Sequence, residues 1–186
     1  MKMTQYKPEI DSLRAISVLG VIFFHYNFFI NDSKLFSGGF LGVDIFFVIS
    51  GFLMASIISN LNENGNFSLL SFYLRRARRI IPALIFLIVL IILLGLIILS
   101  PEELIKLSEH AASSILFFSN FIYMDEAGYF DSVSINKWLL HTWSLSVEWQ
   151  FYLIYPIILK IFYKITSQNN PYFKNLVLIS FNSVSE

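Results

Sequence analysis

The stretch Ile81-Pro82-Ala83-Leu84-Ile85-Phe86-Leu87-Ile88-Val89-Leu90-Ile91-Ile92-Leu93-Leu94-Gly95-Leu96-Ile97-Ile98-Leu99 carries no ionisable side chain. As a helix rising 1.5 Å per residue it covers nearly the roughly 30 Å of hydrocarbon in a bilayer. Pro82 belongs near the start of such a helix, where a missing backbone N–H costs little, and Pro101 follows its end. Outward from this run, Gly39 to Ile58 is a second apolar segment with Asp44 as its only ionisable group. A first span from about Leu13 to Ile30 carries Arg14 and His25, and a fourth from about Leu145 to Phe162 carries Glu148. The expected fold is all-α, a polytopic membrane bundle of about four transmembrane helices. Between the third and fourth spans, the apolar part of 111–124 is short, which suits an interfacial or re-entrant helix better than a full span. A fifth crossing there is the alternative.

The composition agrees with lipid as solvent. Of 186 residues, 56% are hydrophobic, 17% aromatic and 14% charged, against about 25% charged in an ordinary soluble domain. The 20 Phe residues exceed what a water-soluble interior of this size hides beside its Ile and Leu. Thirteen basic and thirteen acidic residues cancel, so nucleic acid is not an expected partner. The absence of Cys removes thiolate nucleophiles and thiolate metal ligands. With three His and neither an HxH nor an HExxH spacing, no metal site is expected. No GxSxG nucleophile elbow is present. No small-residue cleavage site follows Ile30, so the first apolar run reads as a retained helix and not as a signal peptide.

Lys and Arg placement gives the direction. With a cytoplasmic N-terminus, the inner segments hold Lys2, Lys7, Arg14, Arg75, Arg76, Arg78, Arg79, Lys160, Lys164 and Lys174, and the outer ones only Lys34, Lys106 and Lys137. The positive-inside rule favours this arrangement and the four-span count.

Four constellations carry potential chemistry. Eleven residues separate Arg14 from His25, three helical turns plus about 20°, so both project from one face about 16 Å apart. Ionisable groups within a membrane are costly and usually face protein or water; the plainer reading is that His25 hydrogen-bonds a neighbouring helix and Arg14 snorkels. Asp11, one turn before Arg14, is placed to pair with it. In the second span, Gly38, Gly39 and Gly42 permit close backbone approach, and Asp44 is expected at the depth of His25, where it orients the imidazole or simply caps its helix. Arg75, Arg76, Arg78 and Arg79 are expected in the loop before the third span, as a phosphate ligand set or as an ordinary topology signal. Last, His141-Thr142-Trp143-Ser144-Leu145-Ser146-Val147-Glu148-Trp149-Gln150-Phe151-Tyr152 aligns His141 and Glu148 on one helical face. Glu148 there is an orienter, a proton relay or a packing contact.

These motifs, in this order, resemble the N-terminal part of the acyltransferase-3 family of multi-pass membrane proteins. The resemblance covers about residues 6–165. It rests on Ile10-Asp11-Ser12-Leu13-Arg14-Ala15 with His25, on Gly42 to Phe52, on Arg75-Arg76-Ala77-Arg78-Arg79-Ile80-Ile81-Pro82, and on Trp143 to Tyr152. It implies transfer of an acyl group, usually acetyl, from cytoplasmic acyl-CoA to a hydroxyl of an extracytoplasmic carbohydrate such as a surface polysaccharide, at the cell (inner) membrane. Arg14 and His25 match the family's essential arginine and histidine, and Arg76 and Arg79 its RxxR pair. His25 is then expected as general base or acyl relay, Arg14 as steering the donor, Arg76 and Arg79 as holding CoA phosphates, and Asp44 and Glu148 as supporting carboxylates.

Residues 1–166 thus read as the N-terminal part of a membrane acyltransferase domain. Residues 167–186 read as a tail left by truncation, since family members usually have about ten membrane helices. The rival reading is a non-catalytic truncated membrane protein or a transporter fragment, with the same ionisable groups along a solute path.

Overall fold

The computed structural model describes residues 8–26, 28–30, 33–34, 36–63, 68–127 and 137–169. They form six helices: α1 Pro8–His25, α2 Leu41–Glu63, α3 Leu69–Ile98, α4 Pro101–Ile115, α5 Ser119–Glu126 and α6 Thr142–Asn169. A minimal antiparallel pair, β1 Phe29–Ile30 with β2 Ser33–Lys34, lies between α1 and α2. The fold is all-helical apart from this pair. The chain divides into two compact units, residues 1–67 with 162–186, and residues 68–161.

Among the described residues, two helices are long and apolar enough to cross a membrane, through Leu41–Ile58 and Leu69–Ile98. In α3 only Phe72, Leu84, Ile88 and Gly95 are buried, whereas Phe86 is 71% and Ile97 83% exposed. A helix apolar on every side but packed along one stripe suits lipid on the remaining faces. The segments read as first and fourth spans fall in α1 and α6, which hold Glu9, Asp11 and Arg14, and Glu148 and Lys160; they are outside that pair.

Several boundaries differ from the expected ones. The first helix stops at His25 and not at Ile30, because Phe29 and Ile30 are extended and pair with Lys34 and Ser33. The third begins at Leu69, capped by the Ser68 hydroxyl, which accepts from the Ser71 N–H at 3.4 Å. Arg75 to Arg79 are therefore helical, not a loop. Arginine is a good helix former, and the run continues the helix without a break. Pro82 consequently sits inside α3, where it has no N–H to offer the Arg78 carbonyl.

The region expected as one interfacial or re-entrant helix is two. A capping box starts α4: the Ser100 hydroxyl accepts from the Glu103 N–H, and Glu103 Oε2 accepts from the Ser100 N–H at 2.9 Å. Hydrogen bonds to Oε2 from the Ser100 backbone N–H and from its hydroxyl, the latter at 2.8 Å, hold the Glu103 carboxyl below the usual carboxylate range. The helix ends where Phe117 adopts φ 53°, a left-handed conformation costly for a residue with a bulky side chain. Its buried ring stacks on Trp149 with centroids 4.5 Å apart, and its carbonyl accepts from Gln150 Nε2 at 2.8 Å. The surrounding core joins Leu84 and Ile88 of α3, Leu107 and Ala111 of α4, Phe117 and Leu139.

Candidate functional site

In the unit holding α1 and α2, glycine sets the packing. A Cβ on Gly39 would lie 2.2 Å from the Gly20 carbonyl oxygen, and one on Gly42 would lie 2.3 Å from that of Ser17. Nothing lies within 4 Å of a Cβ on Gly38, so of the three glycines Gly39 and Gly42 make the close approach. Gly39 faces Gly20 and Phe24, Gly42 faces Ser17 and Val21, and Phe46 faces Arg14. The two helices thus run antiparallel.

Arg14 and His25 share one unbroken helix, so the one-face relation read from their spacing holds. Arg14 is half-buried, with its guanidinium carbon 5.3 Å from the Phe46 ring centroid. Its Nε is buried without a hydrogen-bond partner among the described residues. A buried donor left unpaired is costly, and an acyl carbonyl or a phosphate oxygen would relieve it. The guanidinium therefore lies on an aromatic face, not in the expected pair with Asp11. His25 is exposed at the last position of α1, its ring edge-on to Phe24 at 5.3 Å.

Asp44 is not brought to His25. The antiparallel register sets Asp44 level with about Ser17, roughly 12 Å along the axis from His25. Two residues from Gly42 is also about 200° of helix, so Asp44 points away from the seam, and it is exposed. The expectation that it shares the depth of His25 is corrected on both counts.

In the unit formed by residues 68–161, Arg76 is half-buried, with its guanidinium over the Phe72 ring at 5.7 Å and over the Tyr152 ring at 5.2 Å. Arg75, Arg78 and Arg79 are exposed; Arg79 is one turn beyond Arg76. Glu148 is buried and accepts a short hydrogen bond from the Tyr152 hydroxyl. The arginine run and the Trp143 to Tyr152 motif thereby meet in one cluster. His141 is exposed in the turn immediately before α6, one residue ahead of the helix that carries Glu148.

A second polar face of α6, Thr142, Ser146 and Gln150, holds the α4–α5 break. Thr142 Oγ1 is 2.7 Å from Ser114 Oγ and 3.1 Å from Ser119 Oγ, and Ser119 Oγ is 2.8 Å from Ser146 Oγ. Gln150 Nε2 donates to Asn120 Oδ1 at 2.9 Å. The i, i+4, i+8 spacing of the three α6 residues is a signal that the sequence itself carries.

Also unforeseen is a titratable cluster on α4 and α5. Glu126 receives His110 Nε2 at 2.7 Å and Lys137 Nζ at 3.0 Å, and His110 and Lys137 are buried. Burial pushes the Glu126 carboxyl up, but the hydrogen bonds from His110 and Lys137 outweigh it and leave it below the usual range. Burial pushes the neighbouring Tyr123 hydroxyl up to about 12. Because the folded pKa of Glu126 is depressed, its contribution to stability is complete at neutral pH. It is lost as pH falls below the ordinary glutamate value of about 4.3. The melting temperature of Glu126→Gln should therefore lie below wild type at pH 7, with the gap closing under acid. Equal gaps at pH 7 and pH 3 would contradict this ion-pair assignment. Among the described residues no group of His, Asp and Glu side chains is arranged to hold a metal ion.

Among the described residues the chain is helical but for one short strand pair, has two helices long and apolar enough to cross a membrane, and packs Arg14 and Arg76 on aromatic rings. The chain belongs to the acyltransferase-3 family: a family model described as an acyltransferase domain matches residues 7–183. The proteins of this family are membrane proteins. The match runs past residue 165 into residues 167–183, part of the segment expected as a tail left by truncation. Among its relatives, the chain is 41% identical over 161 residues to O-acetyltransferase OatA of Staphylococcus aureus strains NCTC 8325 / PS 47 and COL. That alignment covers 86% of this chain and 26% of each relative, so the chain spans about a quarter of their length. No solved structure matches it.

Proposed function

We propose that the chain is the donor-binding and acyl-accepting part of a membrane O-acyltransferase. In this reading it moves an acyl group, most simply acetyl, from cytoplasmic acyl-CoA to a hydroxyl of an extracytoplasmic carbohydrate such as a surface polysaccharide. The protein sits in the cell (inner) membrane with a cytoplasmic N-terminus. Crossings by α1, α2, α3 and α6 make it multi-pass, while α4 and α5 do not cross. The observation that carries the reading is Arg76 held over Phe72 and Tyr152 with Arg79 one turn on. Stacking engages the faces of the guanidinium, and the N–H groups of a guanidinium match the geometry of a phosphate. The O-acetyltransferase identity of the S. aureus relatives supports acetyl as the group and oxygen as the acceptor atom.

Chemically, the acceptor hydroxyl loses its proton to His25 as general base, its oxygen attacks the thioester carbonyl, and the carbon–sulfur bond breaks to release the CoA thiolate, which takes that proton back from His25. Alternatively His25 takes the acyl group first and passes it on. The unpaired Arg14 Nε stabilises the developing oxyanion. Glu148 supports the donor side through Tyr152.

Binding of tritiated acetyl-CoA to membranes carrying the protein tests the donor site. Removing both Arg76 and Arg79 by Ala substitution should weaken it at least tenfold, since a hydrogen bond to a charged group contributes about 1.5–3 kcal/mol. Undiminished binding by that double variant would refute the site.

A further inference from the structure

Tyr152 touches both halves of the cluster in the second unit. Its ring lies under the Arg76 guanidinium at 5.2 Å, and its hydroxyl donates to Glu148 Oε1. Both Tyr152 and Glu148 are buried. Glu148 and Tyr152 are one turn apart on α6, while Arg76 and Phe72 are one turn apart on α3. A long flexible arginine is thus confined between a ring of its own helix and a ring of the facing one.

We infer that Tyr152 is a positioning residue for Arg76, and that Glu148 acts on the donor arginine through it. The inference rests on the reading of Arg76 as a donor ligand. A cation over an aromatic ring is attracted to the negative face of the π system. A phenol donating to a carboxyl group gains electron density at its oxygen, which deepens that face, because hydrogen bonds in series polarise one another. The ring also restricts the side-chain rotamers that Arg76 would otherwise lose on binding an anion. Tyr152 is not needed merely to hold α3 to α6, because Tyr73 of α3 independently donates to the Leu153 carbonyl at 2.9 Å.

The test is a double-mutant cycle read by acetyl-CoA affinity and by steady-state kinetics on the complete protein in membranes. Tyr152→Leu should weaken acetyl-CoA binding about tenfold and raise its KM by a similar factor, with kcat within about twofold. Tyr152→Phe keeps the ring and loses the hydroxyl, so it should fall between wild type and Tyr152→Leu; it also serves if the leucine variant does not fold. In the Arg76→Ala background, either Tyr152 substitution should cost nothing further. Equal costs of the Tyr152 substitutions with and without Arg76, or Tyr152 variants that bind as wild type, would overturn the inference while leaving the donor site standing. If Arg76→Ala itself binds acetyl-CoA normally, the donor reading fails and the inference fails with it.

Discussion

His25→Ala should reduce acyl transfer by about a hundredfold to ten-thousandfold, the range a positioned acid or base contributes, while leaving membrane insertion and thermal stability unchanged. The separation of effects follows from position. His25 is exposed at the final residue of α1, so losing its ring opens no cavity and strips no core. Its phase with Arg14, eleven residues earlier on the same helix, puts both groups along one face. Donor binding should persist in the variant, because Arg76 and Arg79 belong to a different unit. Transfer at the wild-type rate in His25→Ala membranes would remove the histidine from the mechanism.

The largest stability effects should come from glycine. Gly42 lies in α2, where exchanging Gly for Ala normally gains up to about 1 kcal/mol of helix propensity. Here the added Cβ would meet the Ser17 carbonyl oxygen at 2.3 Å and Val21 Cγ2 at 2.9 Å. The carbonyl is backbone of the opposing helix and cannot rotate away, so α1 and α2 must separate. Overpacking costs about 1–3 kcal/mol where side chains yield, and a backbone clash exceeds that gain in propensity. Gly42→Ala and Gly39→Ala should each lower the melting temperature of the detergent-solubilised protein by several degrees, at about 2–4 °C per kcal/mol for a chain of this size. Gly38→Ala, whose Cβ meets nothing within 4 Å, should not. Because Arg14 packs on Phe46 across the same seam, the two destabilised variants should also lose transfer. A Gly42→Ala protein as stable as the Gly38→Ala control would contradict the described packing.

What could be read from sequence divides along a physical line. Features set by periodicity within one helix were legible: the apolar run 81–99 and the shared face of Arg14 and His25. Small residues at a helix contact were legible in kind, though only coordinates separate Gly39 and Gly42 from the unencumbered Gly38. The start of α3 was misplaced because Pro82 resembles a helix-opening proline, whereas the Ser68 cap and the helix-forming arginines carry the helix past it. Asp44 was misassigned because its direction depends on which face of α2 meets α1, and a single sequence does not contain that choice. The His110, Glu126 and Lys137 cluster was missed because it closes across the break at Phe117, a positive-φ residue with none of the glycine that usually marks such a turn. Arg76 on Tyr152 is likewise a contact between helices far apart in the chain.

The central claim is that an acyl group passes from CoA through this domain to a carbohydrate hydroxyl, with Arg76 and Arg79 on the donor and His25 at the transfer step. The most direct measurement incubates membranes containing the complete protein with acetyl-CoA labelled in the acetyl group and follows label into base-labile ester on glycan. The expected result is labelled ester with wild type, bound label without ester in His25→Ala, and at least tenfold weaker binding with correspondingly less ester when Arg76 and Arg79 are both replaced by Ala. Ester formation that is indifferent to His25 and to the arginine pair, or wild-type membranes that bind no acetyl-CoA and form no ester, would contradict it.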